Sequence, residues 1–275
     1  MSIKSILVHI ADDEDHLARF KAAKGLAACF DAHLTALYVT SPVHFKAAMV
    51  GRGASVGYER EKVAFAERKM KEIENEFREY LDNNDIDLEW VVNDGEHLER
   101  LTYHACFNDL AIVSQTEETT LEEIIAHSLP DQLALHSPCP TLVLPHGWDK
   151  GGLPERVVIG WKPSPASNRA LRGAMPFLKQ AKSVRVVTVS EHGKADSHDK
   201  SVMMHLERHG IQAELVHETG IDRKAGHILL DQAASYQADM LVMGGFSHSR
   251  LHDLVVGSAT SHVLHHAEVP LLMAH

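Results

Sequence analysis

The sequence predicts an α/β protein of two doubly wound domains in tandem, each built on a five-stranded, mainly parallel sheet. Three observations carry that expectation. Ten short apolar runs punctuate the chain, helical patterns lie between them, and the two halves match each other at fixed offsets. In the first half the runs read SILVHI (5–10), LTALYV (34–39), LEWVV (88–92), DLAIVS (109–114) and PTLVLP (140–145). In the second they read RVVIGW (156–161), VRVVTVS (184–190), QAELVHE (212–218), DMLVMGG (239–245) and PLLMAH (270–275). Short, nearly continuous runs rich in β-branched residues are the mark of parallel strands buried on both faces. Amphipathic segments at 13–31, 57–83, 97–107, 165–182 and 224–237 supply the crossover helices.

The repeat is read from register. Asn108-Asp109-Leu110-Ala111-Ile112-Val113 falls on Ala238-Asp239-Met240-Leu241-Val242-Met243 at an offset of 130. Pro140-Thr141-Leu142 and His136 fall on Pro270-Leu271-Leu272 and His266 at the same offset. The opening strands, ILVHIA (6–11) and VVIGWK (157–162), match at an offset of 151. The difference lies largely in GRGASVG (51–57) and the charged helix after it, which read as an exposed flap or as a lid over a ligand. Duplication follows, with domains at 1–147 and 153–275 and a Gly/Pro-punctuated linker, HGWDKGGLP (146–154), between them.

Composition narrows the function classes. At 44% hydrophobic and 24% charged residues, the chain has ordinary globular composition. No apolar run approaches the ~18 residues that span a bilayer, and MSIKSILVHIADDED reads as a buried strand rather than a signal peptide. Neither a membrane nor a secretory route is expected. Three cysteines without a CxxC pair point to a reducing cytoplasm. The net charge is −11, and the acids concentrate in residues 1–148, where they outnumber bases roughly two to one. That field does not attract nucleic acid, and an anion is better placed in the nearly balanced second half.

One segment carries chemistry. Met243-Gly244-Gly245-Phe246-Ser247-His248 follows a strand, and Gly257-Ser258-Ala259-Thr260 opens a helix. Ligands of such folds bind at this carboxyl edge. The glycines permit positive φ and close backbone approach, and the N–H groups with the helix dipole suit a phosphate. Each hydrogen bond to a charged group is worth ~1.5–3 kcal/mol, so a few of them supply the ~4–8 kcal/mol of millimolar to micromolar binding. A structural turn and helix cap is the competing reading of the same residues.

These residues resemble the universal stress protein family, whose motif is G-x2-G-x9-G-(S/T) after the fourth strand. Gly244 falls on the first glycine, Gly257 on the third and Ser258 on the Ser/Thr, while Ser247 replaces the second glycine. The resemblance covers most of the chain. It implies the universal-stress-protein, adenine nucleotide alpha hydrolase-like fold in each domain. It also implies ATP, AMP or ADP as ligand with Mg as companion, dimerisation through the last strand, and a stress-response role. Met243, Gly244, Ser247, Gly257, Ser258 and Ala259 would line the phosphates and ribose, with His248 in the same loop and Gly160 and Lys162 at the end of the first strand. The family's aspartate at that strand end is Lys162 here, which reaches a phosphate or alters adenosine recognition. In the first half Gly244, Ser247 and Gly257 become Ser114, Glu117 and His127, and the acidic loop 115–123 opposes a triphosphate.

Other constellations are weaker. Among 21 histidines, His205/His209 and His262/His266 have i,i+4 spacing, without a third ligand close in sequence, and no metal is expected. No GxSxG elbow or Walker lysine is present, so hydrolysis of ATP would be slow at most. Three readings stay open: a nucleotide-binding sensor or regulator acting through the C-terminal domain, a nucleotide-free dimerising scaffold, and a small-molecule binder using the N-terminal domain. The two domains are expected to pair within the chain as well as to form a homodimer. Lys162 filling the adenosine pocket would favour the scaffold.

Overall fold

A computed structural model describes residues 2–40, 68, 70–77, 86–115, 129–190, 197–220, 225–245 and 259–275. The first half runs β1 (Ser5–Ile10), α1 (His16–Phe30), β2 (His33–Thr40), a helical stretch at 70–77, β3 (Leu88–Asp94), α2 (His97–Ala105), β4 (Leu110–Ser114), α3 (Leu129–His136) and β5 (Thr141–Leu144). The second runs β6 (Arg156–Trp161), α4 (Pro165–Leu178), β7 (Ser183–Ser190), α5 (Ser197–Arg208), β8 (Ala213–Thr219), α6 (Ala225–Ser235), β9 (Met240–Gly244), α7 (Ala259–His266) and β10 (Leu271–Ala274). All ten expected strands form. The flap 51–57 lies outside the described residues.

The ten strands make one sheet in the order β3-β2-β1-β4-β5-β10-β9-β6-β7-β8. Within each half the strands pair in parallel, as β1 does with β2 and β4, and β6 with β7 and β9. The halves join where β5 and β10 run antiparallel, with Leu272 opposite Leu142. Two five-stranded units therefore share a continuous hydrogen-bonded ladder inside one chain. Inner strands such as β1 and β4 are buried almost throughout, while the outermost strands β3 and β8 alternate exposed and half-buried residues, as sheet edges do.

Helices cover both faces. One layer holds Phe20 and Leu26 of α1, Phe77, Leu171 and Ala174 of α4 and Leu206 of α5. The other holds Leu101 of α2, Leu133 of α3, Leu229 of α6 and Val263 of α7. Across the join, Phe30 of α1 meets Phe177 of α4 edge-on, ring centroids 5.2 Å apart. The duplication is repeated in detail. Asp109 accepts the backbone N–H groups of Lys4 and Ser5 at 2.8 and 3.1 Å. Asp239 accepts those of Glu155 and Arg156 at 3.0 and 2.8 Å.

Candidate nucleotide site

The switch point of the second half lies between β6 and β9. From β6 the chain crosses to β7 on one side, and from β9 it crosses to β10 on the other. The connections leaving β6 and β9 diverge there, which is where ligands of such sheets sit. Gly160 of β6 is in register with Met243 of β9, and Lys162, just past β6, is exposed. Ser164 caps α4, its hydroxyl accepting the Ser167 N–H at 3.1 Å, with Pro165 in the first turn. Of the sequence-derived site residues, the structure places Gly160, Lys162, Met243 and Gly244 at this edge and Ala259 at the start of α7. Ser247, His248, Gly257 and Ser258 lie outside the described residues, as does all but Gln115 of the acidic loop 115–123.

The glycines here have packing reasons. A Cβ on Gly244 would stand 2.3 Å from the Ser167 nitrogen, so it is the first turn of α4 that comes close to this strand end. A Cβ on Gly160 would meet the Leu229 side chain at 2.8 Å. Neither Gly244 nor Gly245 adopts the positive φ that their residue type allows. The Gly245 N–H donates to the Ala274 carbonyl, the Gly245 carbonyl accepts from His275 Nδ1 at 3.0 Å, and Arg169 Nε donates to the His275 carbonyl at 2.6 Å. The end of β10 is thereby tied to the end of β9 and to α4.

The first half is built differently at the same positions. His9 stands where Gly160 does and is fully buried, its Nε2 2.7 Å from Nδ1 of His97. Burial above all, with the Arg19 charge and His97 adding to it, holds the pKa of His9 well below 6.5, and burial also lowers that of His97. Burial thus favours the neutral form of both rings, in which one of the facing nitrogens donates its N–H to the other. Arg19, only 3% exposed, donates to the His9 carbonyl at 2.6 Å and pairs with Asp13 at 2.7 Å. Gln115, in the place of Gly245, reaches across the join to the Ala267 carbonyl at 2.8 Å. Sequence reading missed the His9–His97 pair, although the offset that puts His9 on Gly160 was there to be used.

The histidine pairs expected on helices are in contact. His205 and His209 lie 4.7 Å apart, and His262 and His266 stack at 4.3 Å. His227 of α6 joins the second pair at 3.7 Å from His262. Among the described residues, no three His, Cys, Asp or Glu side chains converge as metal ligands. No described helix is long and apolar enough to cross a membrane.

Comparison with known proteins agrees with this architecture. Over 99% of the chain and 96% of its counterpart, the fold is similar to a universal stress protein from Archaeoglobus fulgidus, with a TM-score of 0.80 at 16% identity. A putative universal stress protein from Pseudomonas aeruginosa aligns over 98% of this chain and 92% of its own, with a TM-score of 0.59 at 17% identity. At such identities the likeness is one of fold. A universal stress protein solved in complex with cAMP aligns with 54% of this chain and 99% of its own, at 18% identity and a TM-score of 0.35. No curated protein matches the sequence. The profile of the universal stress protein family matches residues 2–145 and again residues 154–275. The chain belongs to the universal stress protein family, which it carries twice in tandem.

Proposed function

We propose that the protein binds an adenine nucleotide, ATP or its AMP and ADP relatives, in the C-terminal domain, and acts as a stress-response sensor or regulator. The observation that supports this is the spacing Gly244…Gly257-Ser258, which begins where β9 ends beside β6 at the switch point. The residues fit such a ligand. Lys162 is an exposed cation at that edge, and α7 begins at Ala259, so the positive end of its helix dipole favours an anion there. With Mg, the bound triphosphate would be screened and held; the sequence carries no Walker lysine, so turnover is expected to be slow at most. The last-strand pairing that the resemblance implies is taken up within the chain, where β10 pairs with β5; domain boundaries at 147 and 153, a cytoplasmic location and a homodimer complete the reading.

Equilibrium dialysis of ATP against the full chain tests it. We expect one nucleotide per chain, with a dissociation constant between about a micromolar and a millimolar. Ser258→Asp puts a carboxylate against the phosphates and should abolish binding, whereas Ser128→Asp, the equivalent change in the first domain, should leave it intact. Absence of binding at millimolar ATP, or equal effects of the two substitutions, ends this reading.

A further inference from the structure

The two domains also touch away from the sheet, where α3 of the first meets α7 of the second. There His265 of α7 and Asp131 of α3 face each other, Nε2 to Oδ2 at 3.4 Å, with side chains only 20% and 10% exposed. A second tie lies at the same helix end, where Gln115 donates to the Ala267 carbonyl at 2.8 Å. The duplication does not require the His265–Asp131 pair. At the offset of 130, Asp131 corresponds to Ser261 and His265 to Leu135, so the related positions offer a hydroxyl and an alkyl group and no charge. Each member of the pair departs from its counterpart, and the two departures meet across the join.

The bonding of the ring decides its charge. Nδ1 of His265 lies 2.8 Å from the Ser261 carbonyl oxygen. A carbonyl only accepts, so Nδ1 carries a hydrogen and donates it. Nε2 is sealed from water, and in a neutral ring its lone pair would face a carboxylate oxygen without solvent to screen the two. A proton on Nε2 turns that repulsion into an ion pair. Burial strips the charge from His9, but His9 stands by a second ring and an arginine, whereas His265 stands by an acid. Asp131 lies in the first turn of α3, where the helix dipole favours negative charge. The other titratable groups on the helices packed here are His136 of α3, His262 and His266 of α7, and His227 and Asp231 of α6, with Glu268 exposed just past α7. The pKa of His262 is held down by burial first and then by His227, His266 and His265, as suits a ring beside a charged neighbour.

We propose that His265 carries a second proton at neutral pH and that its ion pair with Asp131 is an alkaline-sensitive latch between the two domains. The folded chain holds this proton more tightly than the unfolded chain does. The latch is therefore fully engaged below the ordinary histidine value of about 6.5 and is lost as pH rises through the higher folded value, the reverse of the buried His9. Once the proton leaves, Nε2 and the carboxylate repel, and α7 loosens from α3. The latch holds whether or not a nucleotide binds the second domain.

The test is nitrogen-detected NMR of the imidazoles in the full chain, titrated from about pH 5 to about pH 10, with His265→Gln identifying the His265 signals. Both His265 nitrogens should be protonated at neutral pH, with a titration midpoint on the alkaline side of the ordinary value of about 6.5. Asp131→Asn should bring that midpoint down to the ordinary value or below it. Hydrogen exchange, corrected for the base-catalysed intrinsic rate, reads the latch itself. Protection of the α7 amides should fall about tenfold across the His265 midpoint in the wild-type chain and stay level in His265→Gln. A wild-type His265 that is neutral at pH values near 7 overturns the proposal without recourse to any variant. So does a midpoint that Asp131→Asn leaves unmoved, or α7 protection that is the same on both sides of the wild-type midpoint.

Discussion

Asp15, at the start of α1, grips the end of the first domain: its carboxylate accepts His146 Nδ1 at 2.6 Å and the Gly147 N–H at 2.7 Å. Gly147 turns there with a φ of 64°, and the linker then passes over α1 so closely that a Cβ on Gly25 would fall 2.5 Å from the Gly151 Cα. One side chain thus fixes the point where the first domain hands over to the second. Asp15→Ala removes both bonds and leaves the Gly147 amide without its partner. Chemical denaturation should show a loss of about 1–3 kcal/mol, and Asp15→Asn should lose less.

Gly244 and Gly160 give a graded pair. At Gly244 the obstacle is the Ser167 backbone, which cannot swing aside, whereas at Gly160 it is the tip of Leu229. Gly244→Ala should cost about 1–3 kcal/mol as overpacking and displace the start of α4. Gly160→Ala should cost less, because Leu229 has rotamers to spend. Equal losses in parallel urea titrations would contradict this account of the two glycines.

The buried His9 makes stability depend on pH with a definite sign. The folded chain keeps its ring neutral, while the unfolded chain takes up a proton near the ordinary value of 6.5. Below about pH 6.5 the unfolded state therefore binds more protons, and stability falls until the pH reaches the depressed folded pKa. His97 and His262, both lowered by burial, act in the same direction. Urea midpoints should drop between about pH 7 and pH 5.5. His97→Gln and His9→Gln should each flatten that drop, and an unchanged slope in both would refute the assignment.

The three cysteines should separate cleanly. Cys139 is buried and its thiol is pushed up to about 11 by that burial, while Cys29 and Cys106 are exposed. Thiolate supply and access both set alkylation rate. Native chain near about pH 8 should therefore take up label at Cys29 and Cys106, with Cys139 reacting only after denaturant is added.

Much of this architecture could be read from the residues in order. Parallel strands buried on both faces leave uninterrupted apolar runs, so DLAIVS and RVVIGW declare themselves, and β3 was legible as LEWVV although its edge position lets Val92 and Asp94 face solvent. The repeat register was legible because Asp109 and Asp239 serve the same backbone amides. What escaped were relations set by distance in space. His9 and His97 are 88 residues apart, and neither carries a local signal. His227 completes the His262–His266 stack from another helix. Gly244 reads as room for a ligand until the first turn of α4 is seen to fill that room. Nothing in a linear pattern tells which neighbour a missing Cβ accommodates.

The antiparallel meeting of β5 with β10 also has a consequence for the life of the molecule. Two separate subunits joined by those strands would come apart on dilution and could trade partners with any compatible chain. Tethering them raises the local concentration of one for the other to roughly the millimolar range or above, so the union here is indifferent to how much protein a cell makes. With both of these strands flanked on each side, no foreign subunit finds a vacant place beside them. A fused pair of this kind lets its two partners differ at matching positions, as His9 and Gln115 do against Gly160 and Gly245, while both stay held in one ladder.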